Sequence, residues 1–364
     1  MRRCIPRRRA TEMVMALDLP RPGQPRAARL RPWLVALLLA AALVSVGSGA
    51  AGVSLHGVLG DLLSGQGIAA RDKVVLLDIR LPRLAMGILV GAGLAVAGAV
   101  MQGLFRNPLA DPGIVGVSAG AGLGAVAAIV LGGLLPGALV ATFGQYLVPV
   151  AAFLGAWGAT LLLYRVASRG GRTSVAVLLL AGIALAAMAG ALTGVLTYLA
   201  DDRQLRDLTF WGMGSLAGAS WLRLIAGAAL IAPALVLAPR LARGLGALAL
   251  GEAAAAHMGT DIERLKRHSV LVVAALAGAS VALAGGIGFV GIVVPHLLRL
   301  LAGPGHRRLL VDAALLGAAL LVLADLVARR VVVPAELPIG IVTAVLGAPV
   351  FLWILLRRRG FGGL

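Results

Sequence analysis

The chain is short of the residues that build a water-soluble domain. It has one cysteine, Cys4, so no intrachain disulfide can form. Only 13% of its 364 residues are charged, where a soluble domain carries roughly a quarter. Aromatics make up 4%. There are two lysines, Lys73 and Lys266, and neither closes a G-x-x-x-x-G-K-[ST] run. Without a phosphate loop, any ATP that drives this protein is bound by another chain. Five histidines (His56, His257, His268, His296 and His306) show no H-E-x-x-H spacing, which argues against a metalloprotease. No residue pattern asks for a resident cofactor or metal.

What is there instead is apolar and small. Hydrophobic residues reach 60% and glycines number 50, a composition suited to membrane helices in close contact through small residues. The formal charge of +18 would suit nucleic acid. However, the arginines gather at the ends of apolar runs and in the N-terminal segment, a pattern set by lipid headgroups and topology.

A helix of about 20 residues crosses the hydrocarbon core. Ten spans fit: 33–51, 84–105, 114–135, 146–166, 175–198, 221–238, 269–284, 288–301, 309–328 and 337–356. The run 269–301 is too long for one crossing, and Gly285-Gly286 divides it while Pro295 interrupts its second half. With both termini cytoplasmic, ten spans put 24 of the 33 Lys/Arg inside, whereas merging the divided pair puts only 20 there. The expected architecture is an all-α polytopic membrane protein. Residues 1–32 form a basic, disordered cytoplasmic tail, and 33–364 form a single transmembrane domain. Arg2–Arg9 ahead of the apolar run, with VSVGSGA beyond it, resembles a long signal peptide. An uncleaved first span fits better, and Met13 or Met15 offers an alternative start.

Four polar connections carry the remaining chemistry. Outside, Arg80 and Arg83 precede a span, with Pro82 at its entry, and Arg329 and Arg330 end another on the same side. Two readings fit: snorkelling interfacial arginines, or a docking site for an acidic partner. Also outside, 200–221 reads as a short amphipathic helix, with Leu205, Leu208 and Trp211 at helical spacing. An arginine on it either joins local ion pairs or faces a vestibule. Inside, Arg106–Pro112 is a tight proline-fixed reversal. The longest inner connection, 239–268, reads as two short helices. LGEAAAAHMG closes at Gly259, and Thr260 with Glu263 fits a capping box for the second. The pair is either a lipid-surface feature or a lever fitting a groove on a cytoplasmic protein.

Some motifs mislead. Gly116-Val117-Ser118-Ala119-Gly120 matches a nucleophile elbow but opens a membrane helix with no strand before it. Its glycines are read as packing, like the pairs Gly87/Gly91, Gly120/Gly124 and Gly190/Gly194. Asp312 and Asp325 lie in a span, where carboxylates are functional suspects.

Three blocks carry a family resemblance: RLPRLAMGILVGAGLAVAGAVMQGLFRNPLADPGIVGVSAGAG (80–122), GGIGFVGIVVPHLLRLLAGPGHR (285–307) and AELPIGIVTAVLGAPVFLWIL (335–355). Together they resemble the FecCD-type permeases, membrane subunits of type II ABC importers for iron chelates, heme and vitamin B12. The resemblance implies ten helices per subunit, a homodimer, two cytoplasmic ABC ATPase subunits and a periplasmic binding protein. It also implies that Arg80, Arg83 and Arg329 meet acidic residues of the binding protein. Gly251, Glu252, His257 and Gly259 would belong to the element that enters the ATPase groove. Segments 178–194 and 198–221 look most like the heme-importing branch, which implies a periplasmic heme-binding partner, an inner-membrane location, and Arg206 in the outer vestibule facing a heme propionate. That branch often has Asn where Ala186 stands.

Overall fold

A computed structural model describes residues 25–48, 64, 69–170 and 172–359. The tail ahead of residue 25, the alternative start sites and the last two residues of VSVGSGA, Gly49 and Ala50, lie outside the described residues. Among the described residues, eight helices are long and apolar enough to cross a membrane, and two shorter apolar helices, Val290–Ala302 and Ile339–Trp353, bring the number of candidates to ten.

The first helix, α1 (Pro25–Gly47), begins eight residues ahead of the expected span. The next crossing also starts early. Ala70–Val74 is helical, Val75–Arg80 is a π-turn, and α2 (Leu81–Leu104) follows without a break. Pro82, read as the helix entry, instead sits inside this continuous rod. The wider turn before it takes up the missing N–H and the bulk of the ring.

The following helices are α3 (Val117–Leu131), α4 (Gly137–Ala167) and α5 (Val175–Leu199). A two-residue hairpin joins α4 to α5, with β1 (Ser168–Arg169) antiparallel to β2 (Arg172–Thr173) in the register Ser168↔Thr173. The outer amphipathic helix is α6 (Asp202–Met213), opened by a capping box between Asp201 and Gln204. The helix α7 (Trp221–Leu237) runs on through a 3-10 turn into α8 (Ala242–Leu248). The inner knob is α9 (Glu252–His257), after which come α10 (Ile262–Ala284), α11 (Val290–Ala302), α12 (His306–Ala328) and α13 (Ile339–Arg359). The break between α10 and α11 falls at the glycine pair, as the sequence suggests. The cap of α10 does not: Asp261, not Thr260, accepts the Arg264 N–H at 3.0 Å, which leaves Glu263 for another task.

The core is α2 packed against α12, α10 and α11. A Cβ on Gly91 would collide with the backbone of Gly317, and one on Gly98 with that of Gly291. These backbones touch because nothing stands between them. A second close pair is α3 on α4, where Gly120 and Gly124 meet Gly155 and Ala151. The third expected pair differs. Gly190 and Gly194 are exposed on α5, with open space in front of them, because α5 lies along the outside of the subunit with only Leu178, Gly182 and Ala189 buried.

At the outer end, the α6, α10 and α13 termini are stitched by backbone hydrogen bonds. Ser215 N–H donates to the Ala284 carbonyl at 2.8 Å, and Ile339 N–H to the Gly214 carbonyl at 3.0 Å. Gly214 (φ 71°) and Gly285 (φ 73°) take the left-handed backbone this junction needs.

Candidate functional sites at the two ends

Among the described residues, the segments that the arginine bias places outside meet at one end of the bundle. Trp221 Nε1 donates to the Leu77 carbonyl at 2.8 Å, and Gln204 Nε2 to that of Val130 at 3.3 Å. The outer arginines do not project freely. Arg83 is buried between two carboxylates: its Nε and Nη2 donate to Asp325 Oδ1 at 3.0 and 2.9 Å, while Nη1 and Nη2 donate to Glu336 Oε1 and Oε2 at 3.0 and 2.8 Å. Two bidentate pairs thus share one planar fork. Asp325 also binds Arg329 Nε at 3.0 Å. Arg80 and Arg329 in turn reach the end of α1, donating to the Val46 carbonyl at 2.6 Å and the Ser48 carbonyl at 3.2 Å. Arg330 adds a bond to Ser48 Oγ at 2.6 Å. Cations at a helix C-terminus satisfy its last carbonyls and oppose its dipole.

This cluster joins α1, α2, α12 and the loop before α13. Glu336 is its most open carboxylate, 40% exposed against 4% for Asp325. Sequence reasoning singled out Arg80, Arg83 and Arg329 and suspected Asp325, but missed Glu336, which stands in plain view in AELPIG. Arg206 is different. It is exposed on α6 and forms no ion pair among the described residues. On α5, Ala186 is half-buried.

The inner end gathers the other set. A Cβ placed on Gly251 would lie 4.0 Å from Arg106 Nη1, so the proline turn stands beside the start of α9. Within that turn, Asn107 Oδ1 accepts from Leu109 N–H at 3.0 Å and Asp111 Oδ1 from Gly113 N–H at 2.8 Å. Burial pushes the Asp111 carboxyl above the usual carboxylate range, against the Gly113 N–H that draws it down. Gln102, the one amide in α2, bridges to the Gly291 carbonyl at 3.1 Å and accepts from Arg299 Nη1. Arg31 on α1 pairs with Asp312 at 2.9 Å. Both membrane carboxylates, Asp312 and Asp325, are therefore held by arginines.

In α9, Gly251 has φ 105° and Gly259 φ 79°, so the short helix is bounded by two residues with left-handed backbones. Glu252, Ala253, Ala256 and His257 are exposed. Glu252 also reaches Lys266, whose side chain is 2% exposed. Among the described residues, no group of three His, Cys, Asp or Glu side chains could hold a metal ion.

Ten apolar helices with ion clusters at both ends have the form of a polytopic membrane bundle. The match with the FecCD transport family extends over residues 37–357, and the chain belongs to that family: it is a multi-pass ABC importer permease rather than an enzyme. It is 47% identical over 283 residues to the hemin transport system permease protein HmuU of Yersinia pestis, covering 78% of this chain and 83% of that one. It is 42% identical over 341 residues to the vitamin B12 import system permease protein BtuC of Klebsiella pneumoniae, covering 92% and 96%. Among solved structures it is similar to an inward-facing ABC transporter of the metal-chelate type. There the TM-score is 0.79 and the identity 32%, over 91% of this chain and 99% of the other.

Proposed function

We propose that this permease carries heme inward across the bacterial inner membrane, as a homodimer driven by two ABC ATPase subunits and fed by a periplasmic heme-binding protein. The observation that carries the heme reading is the 47% identity to a hemin permease. Arg206 supports it: an exposed guanidinium on the outer helix, outside every ion pair among the described residues, suits a propionate by bidentate pairing. The exposed glycines of α5 suit a close approach by a second copy.

Docking of the binding protein is assigned to the Arg80, Arg83 and Arg329 cluster. Arg83 carries Glu336 on its open side, so an incoming carboxylate exchanges with Glu336 rather than meeting a bare cation. ATPase coupling is assigned to Gly251, Glu252, His257 and Gly259. Cobalamin is the second reading, favoured by the 42% identity to a B12 permease over nearly the whole chain. An ion-coupled secondary transporter built on Asp312 or Asp325 is disfavoured, because each carboxylate is already neutralised by an arginine.

The test is ATP turnover by the complete complex, with the binding protein loaded with hemin or with cyanocobalamin. Hemin-loaded protein stimulates turnover, and Arg206→Glu weakens the response. Stimulation by cyanocobalamin alone would exchange the two readings.

A further inference from the structure

The inner end holds a buried cation that the transport reading has not used. Lys266 lies in the second turn of α10 with its side chain 2% exposed. An ammonium so placed is costly unless each N–H is met. Here all three are met, each by a different stretch of chain. Nζ donates to the Thr173 carbonyl at 2.7 Å, lies 3.0 Å from Glu252 Oε1, and lies 3.3 Å from Glu263 Oε1. Glu263, released from capping by Asp261, uses its other oxygen to accept the Thr173 N–H at 2.9 Å. Ser168 and Thr173 hydroxyls close the hairpin at 2.8 Å.

Three elements meet at this one nitrogen. Glu252 is the first residue of α9. Glu263 and Lys266 belong to the root of α10. Thr173 is followed by Ser174, whose Oγ accepts the Val177 N–H and caps α5. The helix α5 is lightly held, since only Leu178, Gly182 and Ala189 of its residues are buried. A displacement of α9 therefore reaches α5 through charge-assisted bonds at Lys266, while α10 is fixed in the core.

We propose that Lys266 is a positioning residue for coupling: it transmits movement of the α9 knob to the root of α5, so that ATP hydrolysis on the partner changes access along α5. This rests on the assignment of α9 as the ATPase-facing element, and the experiment separates the two. The carboxylates are 45% and 34% exposed. When the ammonium is removed they turn to water, and Lys266→Met keeps the aliphatic stem in place, so the variant folds. Glu263→Gln weakens the link between Lys266 and Thr173 from outside the ATPase-facing element, and guards against misfolding of the first variant.

The full complex, reconstituted with its ATPase and hemin-loaded binding protein, is assayed for hemin accumulated per ATP hydrolysed. A merely structural defect lowers both quantities together and leaves the ratio unchanged. Lys266→Met lowers the ratio about tenfold while ATP turnover persists, and adding Glu263→Gln causes no further loss. An unchanged ratio in Lys266→Met, or fully additive losses, overturns the proposal. Separately, Ala256→Trp on the exposed face of α9 should prevent the ATPase from co-purifying. If the ATPase still binds, the assignment of α9 fails, whatever Lys266 does.

Discussion

The rod formed by α2 and the helix α5 are both apolar, glycine-containing membrane helices, yet their surroundings are opposite. In Ala70–Leu104 78% of the apolar window is buried, whereas in Val175–Leu199 17% is. Gly91 and Gly98 press against foreign backbone; Gly190 and Gly194 face open space. In water such a difference would show as a difference in polarity. In lipid it does not, because an acyl chain and a neighbouring helix are equally apolar to the side chain they touch. Packing geometry, not hydropathy, separates the fixed scaffold of this subunit from the helix left free to meet a partner or move.

The comparison can be broken most severely at Gly98. A leucine there would have to occupy the position of the Gly291 backbone, so Gly98→Leu costs more than about 4 kcal/mol and abolishes the folded subunit, as read by size exclusion in detergent. The same change at Gly190 leaves the monomer within about 0.5 kcal/mol of wild type in thermal unfolding, while self-association falls. If both variants fail equally, α5 is part of the scaffold after all.

Asp325→Ala comes next. It strips the buried carboxylate from both Arg83 and Arg329 and lowers stability by about 3–5 kcal/mol. Glu336→Gln is far milder, under about 1 kcal/mol, because that carboxylate is 40% exposed. Its effect is on association: with the competing charge gone, affinity for an acidic binding protein rises about fivefold, measurable by surface binding at two salt concentrations. The most local is Asp201→Ala, which removes the cap of α6 and costs about 1 kcal/mol confined to that helix. Hydrogen exchange would increase in α6 alone.

The sequence made some of this legible and hid the rest for physical reasons. Gly285-Gly286 announced the break between α10 and α11, since a glycine pair is a strong stop in an apolar run. The early start of α2 was hidden because a proline reads as an entry, and only a π-turn upstream lets the helix pass it. Thr260 and Asp261 are adjacent residues of the same capping type, so the choice between them turned on one step of register. Gly190/Gly194 and Gly120/Gly124 are the same motif; only the tertiary neighbours tell them apart. Lys266 lies 93 residues from Thr173, and nothing in the local pattern could join them. At the outer end the arginines were found from their position beside a span. Their carboxylate partners, from 242 to 253 residues away from Arg83, could not be paired with them.

The proposed cargo is heme, driven through by hydrolysis on partner subunits. Purified permease, ATPase and binding protein in liposomes, with ATP supplied on the ATPase side, test it directly through the Soret absorbance accumulated across the membrane. The expected result is ATP-dependent accumulation of hemin that is slowed by Arg206→Glu. Accumulation of cyanocobalamin or a ferric siderophore, with none of hemin, would contradict it.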